Sequence, residues 1–453
     1  LARALGAISN AISIGILTSI AVATLAAAAE PAKLTLYRGA TLIDGTGAAA
    51  KADMTIVVDG ERIRAVVRDA QAAQYASNAT VVDAHGLTVL PGLIDSHVHM
   101  ATSPNRRFAE ALLRRDVYSG ITAVRDMAGD ARMLADLSRS ARMADVPSPD
   151  IYFAALMAGP EFFKDPRTVD AAQGATPGNV PWMRAITADT DLTLAVAEAH
   201  GTGATAIKIY ADLPGTLVRN ITTEAHRQHM MVWAHATVFP ASPREVVDSG
   251  VDVVSHACLL GYQVSDPVPP AYHNRPPVDA AKLAGDNPQI DSLLADMKSR
   301  STILDATLYV YDVMWKIPDA QPPPYCRLEL AEKLAGEAHA AGIPISTGTD
   351  APGEWSDAYP SLFEELSLLV HHAGFTAMEV ITASANVGAA TVGQSADMGT
   401  IEAGKLANLM FVAKSPLDDI GNLKTVTMTV KRGKLYRRSD YRAITKDEAQ
   451  GDL

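Results

Sequence analysis

Between residues 34 and 90 apolar and polar positions alternate in short runs, LTLYRGATLIDG, ADMTIVVDGERIRAVV and TVVDAHGLTVL, divided by Gly, Asp and Asn. A period of two turns one side of each run to a core and the other to water, the pattern of a half-buried β-strand. Similar runs return near the far end, in GTIEAGKLANLMFVAKS and TVTMTVKRGKLYRR. One small β-sandwich made from both chain ends is therefore predicted, over 30–90 and 393–440, with a tail at 441–453. The region 91–392 reads differently. Eight short apolar runs, GLIDSHV, TAVRDM, DIYFAALMAG, TAIKIY, MVWAHA, DVVSHA, TILDATLYV and IPISTGTD, alternate with segments of helical period that stop near Gly, such as PREVVDSG. Eight strands alternating with helices predict an α/β fold, a (β/α)8 TIM barrel whose functional groups sit at the C-terminal ends of its strands. An open doubly wound sheet is the alternative, but no G-x-G-x-x-G follows any of the runs. Two connections exceed a plain turn, 160–187 after the third strand and 259–277 after the sixth. Long loops on that face tend to be lids or binding loops.

Composition narrows the function classes. At 453 residues the chain exceeds one ordinary core. Its 48% apolar and 20% charged residues suit a soluble enzyme. A net charge of −12 does not supply the basic surface that nucleic acid requires, so a small-molecule substrate is expected. Cys258 and Cys326 are too few for a disulfide framework or a thiolate zinc site. Two buried thiols are the simple expectation and a single bridge the alternative. Residues 1–29 carry no charge between Ala4 and Ala29 and end in small residues. They read as a cleaved export signal, which predicts a periplasmic or secreted protein without stable membrane insertion. A retained N-terminal anchor is the alternative, because the stretch is long enough to span a bilayer. Homo-oligomerisation stays open.

The chemistry begins with His97 and His99, two apart on a predicted strand, so both imidazoles share a face. Lys208, His235, His256 and Asp350 stand at the ends of other predicted strands. A barrel would gather all six at one rim, and imidazole nitrogens with a carboxylate suit zinc and related divalent ions. Lys208 in an apolar run is costly unless paired or neutralised. It is either a structural lysine bonded to a carboxylate or an amine of lowered pKa, able to react with carbon dioxide. Tyr210, Tyr309 and Tyr311 lie near strand ends, where the first two are candidates for touching a substrate. His273 and Arg275 could grip a substrate carboxylate if their loop folds inward, though a solvated loop is the simpler expectation. Arg125 and Asp126 are expected to pair with each other and brace the barrel. His200, His226, His229, His339, His371 and His372 fall on helices, where solvation or packing accounts for them.

Taken together, PGLIDSHVHM, GITAVRDM, AIKIY, VWAHA, VVSHA, STGTD and the tail GTIEAGKLANLMFV resemble the amidohydrolase superfamily, nearest to its imidazolonepropionase-related and prolidase-like members. The resemblance implies a barrel beside a small β-sandwich and a centre of two divalent ions, zinc in most members. It would place His97, His99 and Asp350 on the more buried ion, His235 and His256 on the other, and carboxylated Lys208 between them. The implied reaction is hydrolysis of an amide C–N bond by a hydroxide bridging the ions, with Asp350 as the catalytic proton carrier. N-acyl amino acids, dipeptides and cyclic amides are the expected substrate classes. Two departures stand out. The tail reads Ala407-Asn408-Leu409 where Asp is usual at the middle position, and IYADLPGTL lacks the glycine-rich segment of many peptidase members. The second departure counts against a peptidase. Hydrolysis of an ester, lactone or organophosphate, and a non-catalytic exported binding protein, are the competing readings.

Overall fold

The structure is a computed structural model and describes residues 33–317 and 324–450. The segment read as an export signal lies outside the described residues. All eight barrel strands form, at Leu93–Val98, Ile121–Asp126, Asp150–Ala158, Ala206–Ile209, Met231–His235, Val253–Ser255, Ile303–Asp305 and Ile345–Ser346. Each pairs in parallel with the next through to the eighth. Backbone bonds from Ser96 N to Thr347 O (2.8 Å) and from Asp350 N to His97 O (2.9 Å) tie the eighth strand to the first. Helices cover the outside, and the first two strands are buried along their whole length. That explains why they read as apolar runs without alternation.

A second, mixed sheet of eight strands is built from both ends of the chain. Its seam is the antiparallel pair of Leu409–Val412 with Thr88–Pro91, which joins residues more than 300 positions apart. Tyr37, Ile56, Val89, Leu409, Phe411 and Val430 close its core. Asn408 lies at the junction with the barrel. Its carbonyl accepts from Gly92 N (2.9 Å), and its side-chain oxygen accepts from Arg432 N (2.8 Å).

Two expectations are corrected. The seventh strand stops at Asp305, and residues 308–310, read as its end, open the helix Leu308–Lys316. Thr307 turns the chain between them with φ +52°. Aromatic and β-branched residues fit either element, and tertiary packing decided. The cysteines are not free thiols: Cys258 and Cys326 form a disulfide with their Cα atoms 6.3 Å apart. It ties the segment after the sixth strand to the start of the helix Leu328–Ala340. The long loop after the third strand is partly ordered into the helix Pro166–Ala172 and a hairpin of Asn179–Val180 with Met183–Ala185. The hairpin extends the upper half of the third strand.

Candidate metal centre at the barrel rim

His97 and His99 rise from the end of the first strand and meet Asp350, just beyond the eighth. His99 Nε2 lies 2.9 Å and His97 Nε2 3.4 Å from Asp350 Oδ1. One ligand atom from each of the three falls within 4.8 Å of the others, close enough to share an ion. His235 and His256 complete the rim, with ring centroids 4.8 Å apart, and the ring of His256 lies 4.9 Å from that of His97. Lys208 reaches up from the fourth strand and is wholly buried. The structure thus brings all six predicted residues to one end of the barrel.

The backbone is bent to do this. His256 and Asp350 hold φ of +75° and +53°, the left-handed region, which costs about 1 kcal/mol or more apiece and persists where surroundings enforce it. Gly348 is required by close approach, since a Cβ there would collide with Asp305 Oδ1 and the His97 side chain.

A buried set of charges supports the rim from below. Asp305 Oδ2 accepts from His97 Nδ1 (2.7 Å), Arg125 Nη2 (2.8 Å) and Ser255 Oγ (3.0 Å). The first bond leaves His97 Nε2 turned to Asp350, the usual way a carboxylate orients a ligating imidazole. Arg125 therefore pairs with Asp305 and not with its neighbour Asp126, and it stacks 4.7 Å over Trp233. Asp126 instead accepts from Met100 N and Ala128 N. Adjacent residues on a strand point to opposite faces, so the expected pairing was geometrically unfavourable. Asp305 was missed as a functional residue; its place at the end of the TILD run was the available signal.

Electrostatics favour cation-binding forms. Burial pushes His97, His235 and His256 below the usual imidazole range, so each keeps a free lone pair. Burial works against ionisation of Asp350, yet the imidazoles of His97, His99 and His256 hold its carboxyl well below the usual carboxylate range. Lys208 is pushed down to about 7 by burial and then by Arg125. Its Nζ lies 3.5 Å from Ser255 Oγ and forms no ion pair with a carboxylate among the described residues. His235 Nδ1 is buried without a hydrogen-bond partner among the described residues. An orphaned imidazole nitrogen beside a second histidine and a lysine of lowered pKa is the donor set a divalent ion fits.

Above the rim opens a cavity of about 590 Å³, lined by His99, His235, His256 and Asp350 below and by both long loops above. Tyr210 lines it, its ring 3.9 Å from that of His235 and its hydroxyl accepting from Arg167 Nη1 (3.2 Å). His273 lines it too, at the more exposed edge, 3.6 Å from Asp165. Tyr309 does not. It sits on the first turn of the helix after the seventh strand, where its amide donates to Glu365. Arg275 departs from the solvated loop expected of it: the loop folds inward and sets the guanidinium between the rings of Tyr272 and Tyr325. Among the histidines attributed to helix surfaces, His226 pairs with Asp252 and His339 stacks on Phe375, away from the rim.

The profile of the Amidohydrolase family matches residues 329–436. An imidazolonepropionase of Thermoplasma acidophilum is 34% identical over 113 residues, 24% of this chain and 27% of that protein. An N-acyl-D-aspartate deacylase of Alcaligenes xylosoxydans xylosoxydans is 31% identical over 221 residues, 48% of this chain and 39% of that protein. The chain thus spans well under half the length of either relative. A solved Xaa-Pro dipeptidase with bound methionine superposes with a TM-score of 0.70 at 21% identity, over 89% of this chain and all of that one. That likeness is one of fold. The family profile and both relatives match parts of this chain to amidohydrolases, and the solved dipeptidase shares its fold.

Proposed function

We propose that this protein is a metal-dependent hydrolase that cleaves an amide C–N bond in a small molecule bound above the rim. The observation that carries the reading is the convergence of five ligand-type side chains, His97, His99, His235, His256 and Asp350, around buried Lys208 at the floor of one cavity. His97, His99 and Asp350 would hold one divalent ion and His235 and His256 a second, with zinc the ion best matched to this donor set. Such ions, when bound, acidify water and polarise a carbonyl.

The chain's own residues supply the rest. Asp350, kept ionised by three imidazoles, is the group able to take the proton of the attacking water and pass it to the departing amine nitrogen. Lys208, with a pKa lowered to about 7, offers an amine that is about half neutral at neutral pH, which supports its addition to carbon dioxide, with loss of a proton, to give a carbamate that would serve as a further ligand. Asp305 fixes His97 in the tautomer that presents Nε2. Tyr210, packed on His235 and held by Arg167, forms one wall against which an acyl group can rest. The N-acyl-D-aspartate deacylase relative by its name removes an N-acyl group, which favours the amide over ester and phosphoester alternatives. The disulfide supports export, because such bonds persist in oxidising compartments.

The test is metal analysis joined to hydrolysis of N-acyl amino acids, dipeptides, lactams and lactones. Two ions per chain, loss of turnover on chelation, and a fall of about a thousandfold in kcat for Asp350→Asn are expected. A chain that binds no metal and turns over none of these compounds would overturn the reading.

A further inference from the structure

Two arginines face the cavity, and they are not equivalent. Arg167 is neutralised: its Nε and Nη2 grip Asp165 at 3.0 and 2.8 Å, and its Nη1 is spent on Tyr210. Arg275 has no such partner. Its guanidinium carbon lies 4.1 Å from the ring centres of both Tyr272 and Tyr325 and 5.5 Å from that of Phe239. Nη1 donates to the Tyr272 carbonyl oxygen (2.6 Å) and the guanidinium bonds the Tyr262 hydroxyl, while Nε is buried without a partner among the described residues. No carboxylate among the described residues pairs with it. Aromatic faces lower the cost of holding a cation away from water but do not satisfy its N–H groups.

The clamp is built, not incidental. Tyr325 bonds Tyr311 through their hydroxyls (3.0 Å), and the next residue, Cys326, is tied by the disulfide to Cys258, two positions after His256. Tyr272 is anchored from the other side by its amide, which donates to Asp212 (2.8 Å). Its ring also lies 5.8 Å from that of His235, so the guanidinium sits one ring away from the candidate metal ligands.

We infer that Arg275 is the specificity residue of this cavity and receives a carboxylate carried by the amine half of the substrate, which makes N-acyl amino acids the favoured substrate class over neutral amides and lactams. The inference rests on the hydrolase reading for its turnover and on Arg275 alone for its selectivity. Planar N–H donors of arginine match a carboxylate two to two, and a lysine cannot reproduce that fork. In an N-acyl amino acid the carboxylate is two bonds from the scissile nitrogen, so a carbonyl near His235 and an anion near Tyr272 belong to one molecule.

The experiment uses the metal-loaded full chain and a panel of N-acetyl amino acids of both configurations, each beside its own C-terminal carboxamide. Acetate release gives kcat/KM, and calorimetry gives binding of the same compounds whether or not they are turned over. The native chain is expected to favour carboxylates over carboxamides by about 10- to 100-fold, mainly through KM. Arg275→Met should collapse that ratio toward one, and Arg275→Lys should restore only part of it. A native chain that treats both series alike overturns the inference, as does an Arg275→Met chain, folded by circular dichroism, that keeps the ratio. If nothing is hydrolysed but carboxylates bind selectively through Arg275, the inference stands and the hydrolase reading falls.

Discussion

Two sets of buried charge lie at opposite ends of the barrel strands, and they are built to different rules. At the start of the third strand Asp150 takes Lys431 and Arg432, each at 2.7 Å, and locks the end-built sheet to the barrel. Lys431 also donates to the Ala141 carbonyl, and Arg432 to Glu61, so the charges of this cluster are paired within the chain. At the rim the balance is left open. His235 Nδ1, Arg275 Nε and one oxygen of Asp305 are buried with no hydrogen-bond partner among the described residues. The closed cluster uses charge for docking. The open one keeps donor and acceptor capacity for something that is not part of the chain.

Breaking the closed cluster should bring the largest loss of stability. Asp150→Asn strands two cations and is expected to cost about 3 kcal/mol of folding free energy, read as a lower denaturant midpoint. Hydrolysis by the folded fraction should persist; its loss would mean the two ends are coupled. Asp305→Asn probes the support beneath the rim. It should weaken metal affinity about 10- to 100-fold in chelator competition, beyond any fall in stability, because His97 loses its orienting carboxylate. An unchanged metal affinity would reduce Asp305 to a partner of Arg125.

A pH-dependent effect is expected from a buried carboxyl behind the rim. Glu365 accepts from Tyr309 N, yet burial pushes it up to about 8. The native state therefore holds its proton between the ordinary carboxyl range and pH 8, while the unfolded chain releases it. This group's stabilising contribution falls as pH rises through that window. Glu365→Gln keeps the shape and removes the titration, so its melting temperature relative to the native chain should climb between pH 5 and 8. A flat difference would place the proton elsewhere.

Much of the frame was legible. The change from a period of two to short apolar runs located both the sheet of the chain ends and the eight barrel strands, because pleat and burial act on neighbouring residues. The six rim residues were legible because strand ends in a barrel converge, whatever the intervening helices. What escaped depends on contacts between distant residues. Nothing near Arg125 marks its partner as Asp305, 180 positions on, and only the expected neighbour Asp126 was in view. The first residues of the helix Leu308–Lys316 were read as strand because Tyr and Val serve both elements.

By itself, then, the sequence determined the layers, the order of the strands and the chemical types that meet at the rim, since each follows from local periodicity and from fixed barrel geometry. Only the tertiary structure decided which charges are spent and which are spare. It turned the loop of Arg275 inward, placed that cation between two tyrosines, joined Cys258 to Cys326, and set Asp305 behind His97. Those outcomes rest on loop closure and on the desolvation of particular atoms, quantities that exist only once the chain has packed.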